Sequence, residues 1–496
     1  MNRRKFLNQF SVGIGAFTFS SFISSISRAS SQEKPNILWL DTEDLSPDLA
    51  CYGNPYVATP NLDKLAAEGI RFTNAFVTCP VCSPSRSAMA TGMYQTTIGA
   101  HNHRSHRDDG FKLPDGVTHF SFYLKKAGYF VANGTALNPD RQGKLDFNFN
   151  MNFKEAFNGT DWSQRKPGQP FFIQLHFNET HRTFTPDPEN PIDPDKIKIP
   201  PYYPDHPLTR LDWSLYLEML QVLDKKVGKV LQRLEDEGIK ENTVIFFTGD
   251  HGRPMVRAKQ WCYDSGIHVP LIIRWPGKIK AGEVKDNLVS LLDLAPTFLK
   301  IAGVDPPSYM QGRDLLGTYA AERKYIFSAR DRCDETDDRV RCVRSKRFKY
   351  LRNFYPERPY QFFNAYKQRQ YPVLTLMKIL DKQGKLTPAQ KQLMAPHRPV
   401  EELYNIQADP FEINNLANET QYFHILKEMR AALDKWICET GDKGQMPEDP
   451  EVAAYWDRTV KENDAETQKK RGTYGLSDED YLKWWENELK KMKKGS

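Results

Sequence analysis

Cysteine is scarce in this chain, seven among 496 residues, and no C-x-x-C pair recurs at metal-site spacing. That excludes a disulfide-dense miniprotein and a zinc-ribbon array. Long apolar runs are also missing beyond the first 30 residues, and the mean hydropathy of −0.64 excludes a polytopic membrane protein. Charge of one sign is not in excess either. The net charge is +6, but Arg3, Arg4, Lys5 and Arg28 lie in the first 29 residues, which hold no acid, so the remainder is close to neutral. Nucleic acid is therefore not an expected partner. No internal repeat points to a solenoid. With 39% hydrophobic and 27% charged residues the chain is not disordered, and it is long enough for one large α/β domain with a smaller companion.

The amino terminus is a leader. Arg3-Arg4-Lys5-Phe6-Leu7, a mildly apolar stretch to Ile26 and Ser27-Arg28-Ala29 follow signal-peptide order, and the paired arginines suit a twin-arginine route. The chain is expected to be exported, to the periplasm or beyond. The apolar run is too polar for stable membrane insertion, and no cysteine at the cleavage region argues for a lipid tether.

Four β-rich runs each end in chemically capable residues. Asn36–Leu40 leads into Asp41, Glu43 and Asp44; Phe171–Phe177 into Asn178 and His181; Val244–Thr248 into Asp250 and His251; Val269–Ile273 into Arg274. Buried apolar strands alternating with helices predict a large, mixed, mainly parallel sheet sandwiched by helices, with ligands bound beyond the carboxyl ends of its strands. A Thr59 cap, Pro60 and Gly69 bracket a short helix, and Leu220, Leu223, Val227, Val230, Leu231 and Leu234 mark the core stripe of a long one over 212–237. Residues 182–210, rich in Pro and Asp, read as a surface excursion. From about 320 the charged alternation around Arg341–Arg344 and Lys349–Arg352 predicts an antiparallel sheet with one wet face, followed by a helix over 419–438. The chain thus divides into a leader (1–29), an α/β catalytic domain (30–318), a C-terminal α+β subdomain (319–449) and a solvated helical tail (450–496).

Cys82-Ser83-Pro84-Ser85-Arg86, running on to Thr91-Gly92, places a cysteine at a helix mouth, where the helix dipole and Arg86 favour an anion. This string resembles the type I sulfatase signature C-x-P-S-R-x-x-x-x-T-G of the alkaline phosphatase superfamily. The resemblance extends over roughly 35–440 and includes Thr59–Asp63, Gly249–Gly252, Gly266–Leu271 and Glu402–Asn405. It implies conversion of Cys82 by a maturase to formylglycine (3-oxoalanine), whose hydrated aldehyde is the nucleophile, and a Ca²⁺ ion held by Glu43, Asp44, Asp250, His251 and residue 82. A hard cation with oxygen ligands suits a sulfate monoester. The family usually has Asp-Asp at Glu43-Asp44, and Asp41 is an alternative ligand.

The resemblance further implies that Lys259 and Lys144 hold the sulfate oxygens and that His181 protonates the leaving group. The family's Lys-x-His has Asp146 in place of the histidine, so His101 or His103 contributes there or binds substrate, together with Arg104 and His268. His176, inside a strand, reads as packed. Similarity is greatest to the branch with heparan N-sulfatases and bacterial glycan sulfatases, so the expected substrate is a sulfated polysaccharide, glycosaminoglycan or algal, or its oligosaccharides. The rivals are a phosphodiesterase or phosphonate hydrolase on the same scaffold and a non-catalytic glycan-binding relative. With Cys82 set aside, Cys333 and Cys342 are expected partners.

Overall fold

The apolar runs become strands β1 (Asn36–Thr42), β2 (Ile70–Phe76), β3 (Phe130–Thr135), β4 (Asn138–Gln142), β5 (Phe171–Phe177), β6 (Thr243–Gly249), β7 (His268–Arg274), β8 (Glu283–Lys285) and β9 (Val289–Ser290). The computed structural model describes residues 34–104, 110–317 and 322–494. The leader (1–29) and the border placed at 318–319 lie outside the described residues. Among the described residues these nine strands form one sheet in the order β4-β3-β5-β1-β6-β7-β2-β8, with β9 beside β2. β4 and β7 run against their neighbours and the rest are parallel, as expected of a mixed, mainly parallel sheet.

Alternation along the strands serves two cores. Leu38, Leu40, Ile245 and Phe247 face the long helix Pro207–Asp236 on one side; Ile37, Trp39, Val244 and Phe246 face Phe298 of helix Leu294–Ile301 on the other. The predicted stripe from Leu220 to Leu234 is buried throughout, although the helix starts earlier, at Pro207. Helix α1 (Pro60–Glu68) is not capped by Thr59, whose hydroxyl accepts from Ala50 N–H instead. Its first amides donate to Asp224 of the long helix, at 3.2 Å from Asn61 and 2.8 Å from Leu62. Gly69 closes the helix for a steric reason: a Cβ there would meet the Ile273 carbonyl oxygen at 2.3 Å.

A second sheet of four antiparallel strands, β10 (Ile326–Arg330), β11 (Val340–Arg344), β12 (Phe348–Asn353) and β13 (Glu401–Asn405), lies in the C-terminal region. Its expected wet face is absent. Val343, Tyr350 and Leu403 pack under helix Phe423–Thr440, and Cys342, Leu351 and Tyr404 join the core of the large sheet. The alternating cations are buried against acids: Arg341 on Asp331 (2.9 Å) and Asp442, Lys349 on Asp264 and Glu412 (2.9 Å each). Residues 35–496 form one compact unit.

Two further expectations change. Residues 182–210 are pinned, with Phe184, Tyr202 and Tyr203 in the core and Arg182 paired to Asp212 at 2.7 Å. The tail folds into helices Pro450–Arg471 and Asp478–Lys493, and the second buries Trp485 and Leu489 in the core, so it is no solvated extension. All seven cysteines are free thiols; Cys333 packs beside Cys79 and Val81, not on Cys342. No described helix is long and apolar enough to cross a membrane.

Candidate active site

Three parallel strands and one helix deliver the site. Thr42 of β1 accepts from Asp250 N–H at 2.9 Å, Asp44 N–H donates to Asp250 Oδ1 at 2.9 Å, and Leu45 N–H donates to the His251 carbonyl at 2.8 Å. The ends of β1 and β6 are thereby fixed side by side. Asp44 holds a left-handed φ of +47° at this junction, a conformation that concentrates at functional sites. Gly252 is required because a Cβ would meet Ser265 O at 2.1 Å. β7 runs the other way, so Arg274 ends at the opposite edge, on Glu68 at 2.8 Å, and the fourth strand brings nothing from its carboxyl end to the site.

Cys82 opens helix α2 (Cys82–Thr91) and is buried, its Sγ 3.2 Å from His251 Nε2. His251 Nδ1 donates to the Gly252 carbonyl at 2.9 Å, which leaves Nε2 facing Cys82, Asp44 Oδ1 (3.1 Å) and Asp250 Oδ1 (3.6 Å). Burial disfavours the imidazolium, yet Asp250, Cys82 and Asp44 raise the His251 pKa to about 9. Burial would also push the Cys82 thiol up, but Lys144, Lys259 and His251 hold it well below the ordinary cysteine range. The site therefore stabilises an anion at residue 82.

Each acid has a cation. Lys259 Nζ donates to both oxygens of Asp44 at 2.9 Å; Lys144 pairs with Glu43 and lies 3.4 Å from Asp146; Arg86 bridges Asp250 (3.0 Å) and Asp41. Asp41 also accepts from Gln174 at 2.7 Å; among the described residues Glu43 falls in a cluster of candidate metal ligands, whereas Asp41 and the expected ligand Asp250 do not. His176, read as packing, is a polar site residue: Nε2 lies 3.0 Å from Glu43 Oε1 and Nδ1 3.7 Å from Asp41. His181 Nδ1 donates to the Arg182 carbonyl at 2.7 Å, leaving Nε2 3.9 Å from Glu43 Oε2.

His103 enters the site from a loop. Its Nδ1 lies 3.0 Å from Asp334 Oδ1, and its ring, Cys82 and Asp146 bring ligand-type atoms within 4.8 Å of one another. Arg104 lines the same cavity as Cys82. His101 and His268 line neither of the two cavities that meet here; His268 stacks on Phe76 and binds the Thr73 carbonyl at 2.9 Å. The smaller cavity, about 230 Å³, contains Cys82, Lys259 and His181; the larger, about 880 Å³, contains Glu43, Lys144, His176 and again His181.

The donors suit a hard divalent cation. Asp44, Cys82 and His251 offer atoms within 4.8 Å of one another, as do Glu43, Asp44 and His181, and Asp41 Oδ1 is buried without a hydrogen-bond partner beside them. Glu335, Tyr366, Arg369 and Trp456, which complete the smaller cavity, have no local motif that would announce them.

An α/β/α sheet with acids, lysines and a buried Cys82 beyond its strand ends is an arrangement suited to hydrolysis of anionic esters. The sulfatase family profile matches residues 35–164 and 156–304, and the profile of the N-sulphoglucosamine sulphohydrolase C-terminal region matches 249–395. An ulvan-active sulfatase of Formosa agariphila is 38% identical over 475 residues, covering 86% of this chain and 78% of that protein. Human N-sulphoglucosamine sulphohydrolase is 28% identical, covering 82% and 90%. The fold is shared with a solved 2-O GAG sulfatase (TM-score 0.61, 22% identity, 85% of this chain and 96% of that one). It is shared equally with the phosphonate monoester hydrolase of Silicibacter pomeroyi (TM-score 0.59, 20%, 83% and 96%). The chain belongs to the sulfatase family and is a sulfuric ester hydrolase.

Proposed function

We propose that the chain is an exported sulfatase that removes sulfate from a sulfated polysaccharide or its oligosaccharides, with residue 82 matured to formylglycine and Ca²⁺ at the carboxylates. The observation that carries this reading is the placement of Cys82 at the mouth of α2, 3.2 Å from His251 and within the fields of Lys144 and Lys259. The ulvan-active relative at 38% identity favours an algal glycan over an animal glycosaminoglycan.

Formylglycine at residue 82, as its hydrated aldehyde, would supply the attacking oxygen and a second, geminal hydroxyl whose deprotonation would re-form the carbonyl and expel sulfate with the first oxygen. Glu43, Asp44, Asp250, His251 and residue 82 would hold the calcium, which supplies positive charge against the sulfuryl oxygens. Lys144 and Lys259 present ammonium groups to the same anion, and Arg86 bridges Asp250 and Asp41 beside them, holding the Asp41 carboxyl below its ordinary range against the effect of burial. His181 Nε2, on the wall common to both cavities and 3.9 Å from Glu43 Oε2, gives its proton to the departing alcohol or amine. His103, oriented by Asp334, takes the part left vacant where Asp146 replaces the family histidine: its Nε2 accepts the proton of the residue-82 hydroxyl.

Because a phosphonate hydrolase shares the fold, the deciding experiment compares matched substrates. Protein co-produced with a formylglycine-generating maturase is expected to release sulfate from ulvan oligosaccharides and to prefer an aryl sulfate over the corresponding phosphate and phenylphosphonate. Preference for the phosphonate would overturn the reading. Binding without turnover would support a glycan-binding role instead.

A further inference from the structure

β5 is an interior strand, paired with β3 on one side and β1 on the other, and its register sets His176 opposite Thr135 and Asp41. Gln174, two residues earlier, points to the same face. Both side chains approach one atom: Gln174 donates to Asp41 Oδ2 at 2.7 Å, and His176 Nδ1 lies 3.7 Å from it. Arg86 fixes Asp41 from a further side. The other edge of the imidazole meets Glu43, with Nε2 3.0 Å from Oε1. The ring thus spans the two carboxylates at the end of β1.

Glu43 is held by backbone and side chain. Its N–H donates to the Phe177 carbonyl at 3.0 Å and its carbonyl accepts from the Thr180 hydroxyl, which ties it to the end of β5. In the side chain, Oε1 meets His176 and Lys144, while Oε2 lies 3.9 Å from His181 Nε2. Glu43, Asp44 and His181 offer candidate metal-ligand atoms within 4.8 Å of one another. A glutamate has one more rotatable bond than the aspartate usual here in sulfatases, so its oxygen keeps one position only if the carboxylate is held from outside. The Lys144 side chain, on the loop after β4, is 22% exposed; that of His176 is 8% exposed. The buried ring on an interior strand is therefore the more rigid support.

We propose that His176 is a positioning residue that holds Glu43 Oε1 from behind, so that Oε2 is presented to the calcium and the longer carboxylate serves as a ligand. This rests on the calcium reading, and its test separates the two. Calcium alone is titrated by calorimetry into the matured, full-length chain after chelation. His176→Leu is expected to weaken calcium binding about 10–100-fold, the scale of a lost support behind a metal ligand. His176→Gln, whose amide reaches the place of Nε2, is expected to restore most of the affinity. His176→Asn, whose amide reaches only the place of Nδ1, should weaken binding as His176→Leu does. If His176→Leu does not fold, the comparison of His176→Gln with His176→Asn decides. With Glu43→Gln already present, His176→Leu should weaken binding further by less than about twofold, because both act through one carboxylate. Equal affinity of His176→Gln and His176→Asn, or a loss of the same size with and without Glu43→Gln, overturns the proposal and leaves the calcium reading standing. Absence of calcium binding in the parent chain overturns the calcium reading, and the proposal with it.

Discussion

At the scale of single residues, the site pairs Asp41, Glu43, Asp44 and Asp250 with cations, and substitutions among its residues have directed consequences. On the proposed reading His181 serves departure of a poor leaving group. His181→Ala is therefore expected to lower kcat on a sulfated sugar by about 10²–10⁴-fold, and less on an aryl sulfate whose phenol leaves without help. Steady-state rates on both substrates check this. Cys82, Arg86, Asp44, Asp250 and His251 were legible in the sequence because short motifs and strand ends carry them. His176 was not: within the apolar run Phe171–Phe177 a histidine reads as packing, and its partners Asp41 and Glu43 stand on another strand. The sequence left His101 and His103 as alternatives; the contact that sets His103 apart is with Asp334, far along the chain.

Elements show a different limit of pattern reading. The parallel strands and the stripe of the helix Pro207–Asp236 follow hydrophobic periodicity and were anticipated; β7 was anticipated as a strand, but its direction depends on pairing with β6 and β2. In the second sheet, alternating Arg and Lys imply solvent by pattern, yet acids from elsewhere bury them. Asp264 is the centre of one such cluster. Burial disfavours its charge, but Arg344 and Lys349 hold its carboxyl well below the usual range. A depressed carboxyl contributes stability that is present above the unfolded value of about 3.9 and is lost as pH falls toward the folded value. Asp264→Asn is expected to cost about 3 kcal/mol in urea unfolding at pH 7, because Lys349 and Arg344 lose a shared partner. The difference should shrink as pH falls below about 4; a constant difference would contradict it.

Over the whole molecule, the two sheets and the C-terminal helices converge on one face: β1, β5 and β6 supply the chemistry, and the region after β10 with the helix Pro450–Arg471 supplies the walls. The tail's mixed charge suggested solvation because composition cannot reveal that Asp464 meets Arg369. On the proposed calcium reading, the acid cluster couples stability to metal. Chelation is expected to abolish turnover and lower Tm, and calcium at about 100 times its Kd to return about 2.7 kcal/mol of stability. A Tm indifferent to both would remove calcium from the account.

The most direct measurement is mass spectrometry of the peptide containing residue 82, from protein that releases sulfate. The account predicts formylglycine in place of cysteine, with activity scaling with its fraction. A fully active enzyme with an intact thiol at residue 82 would contradict it.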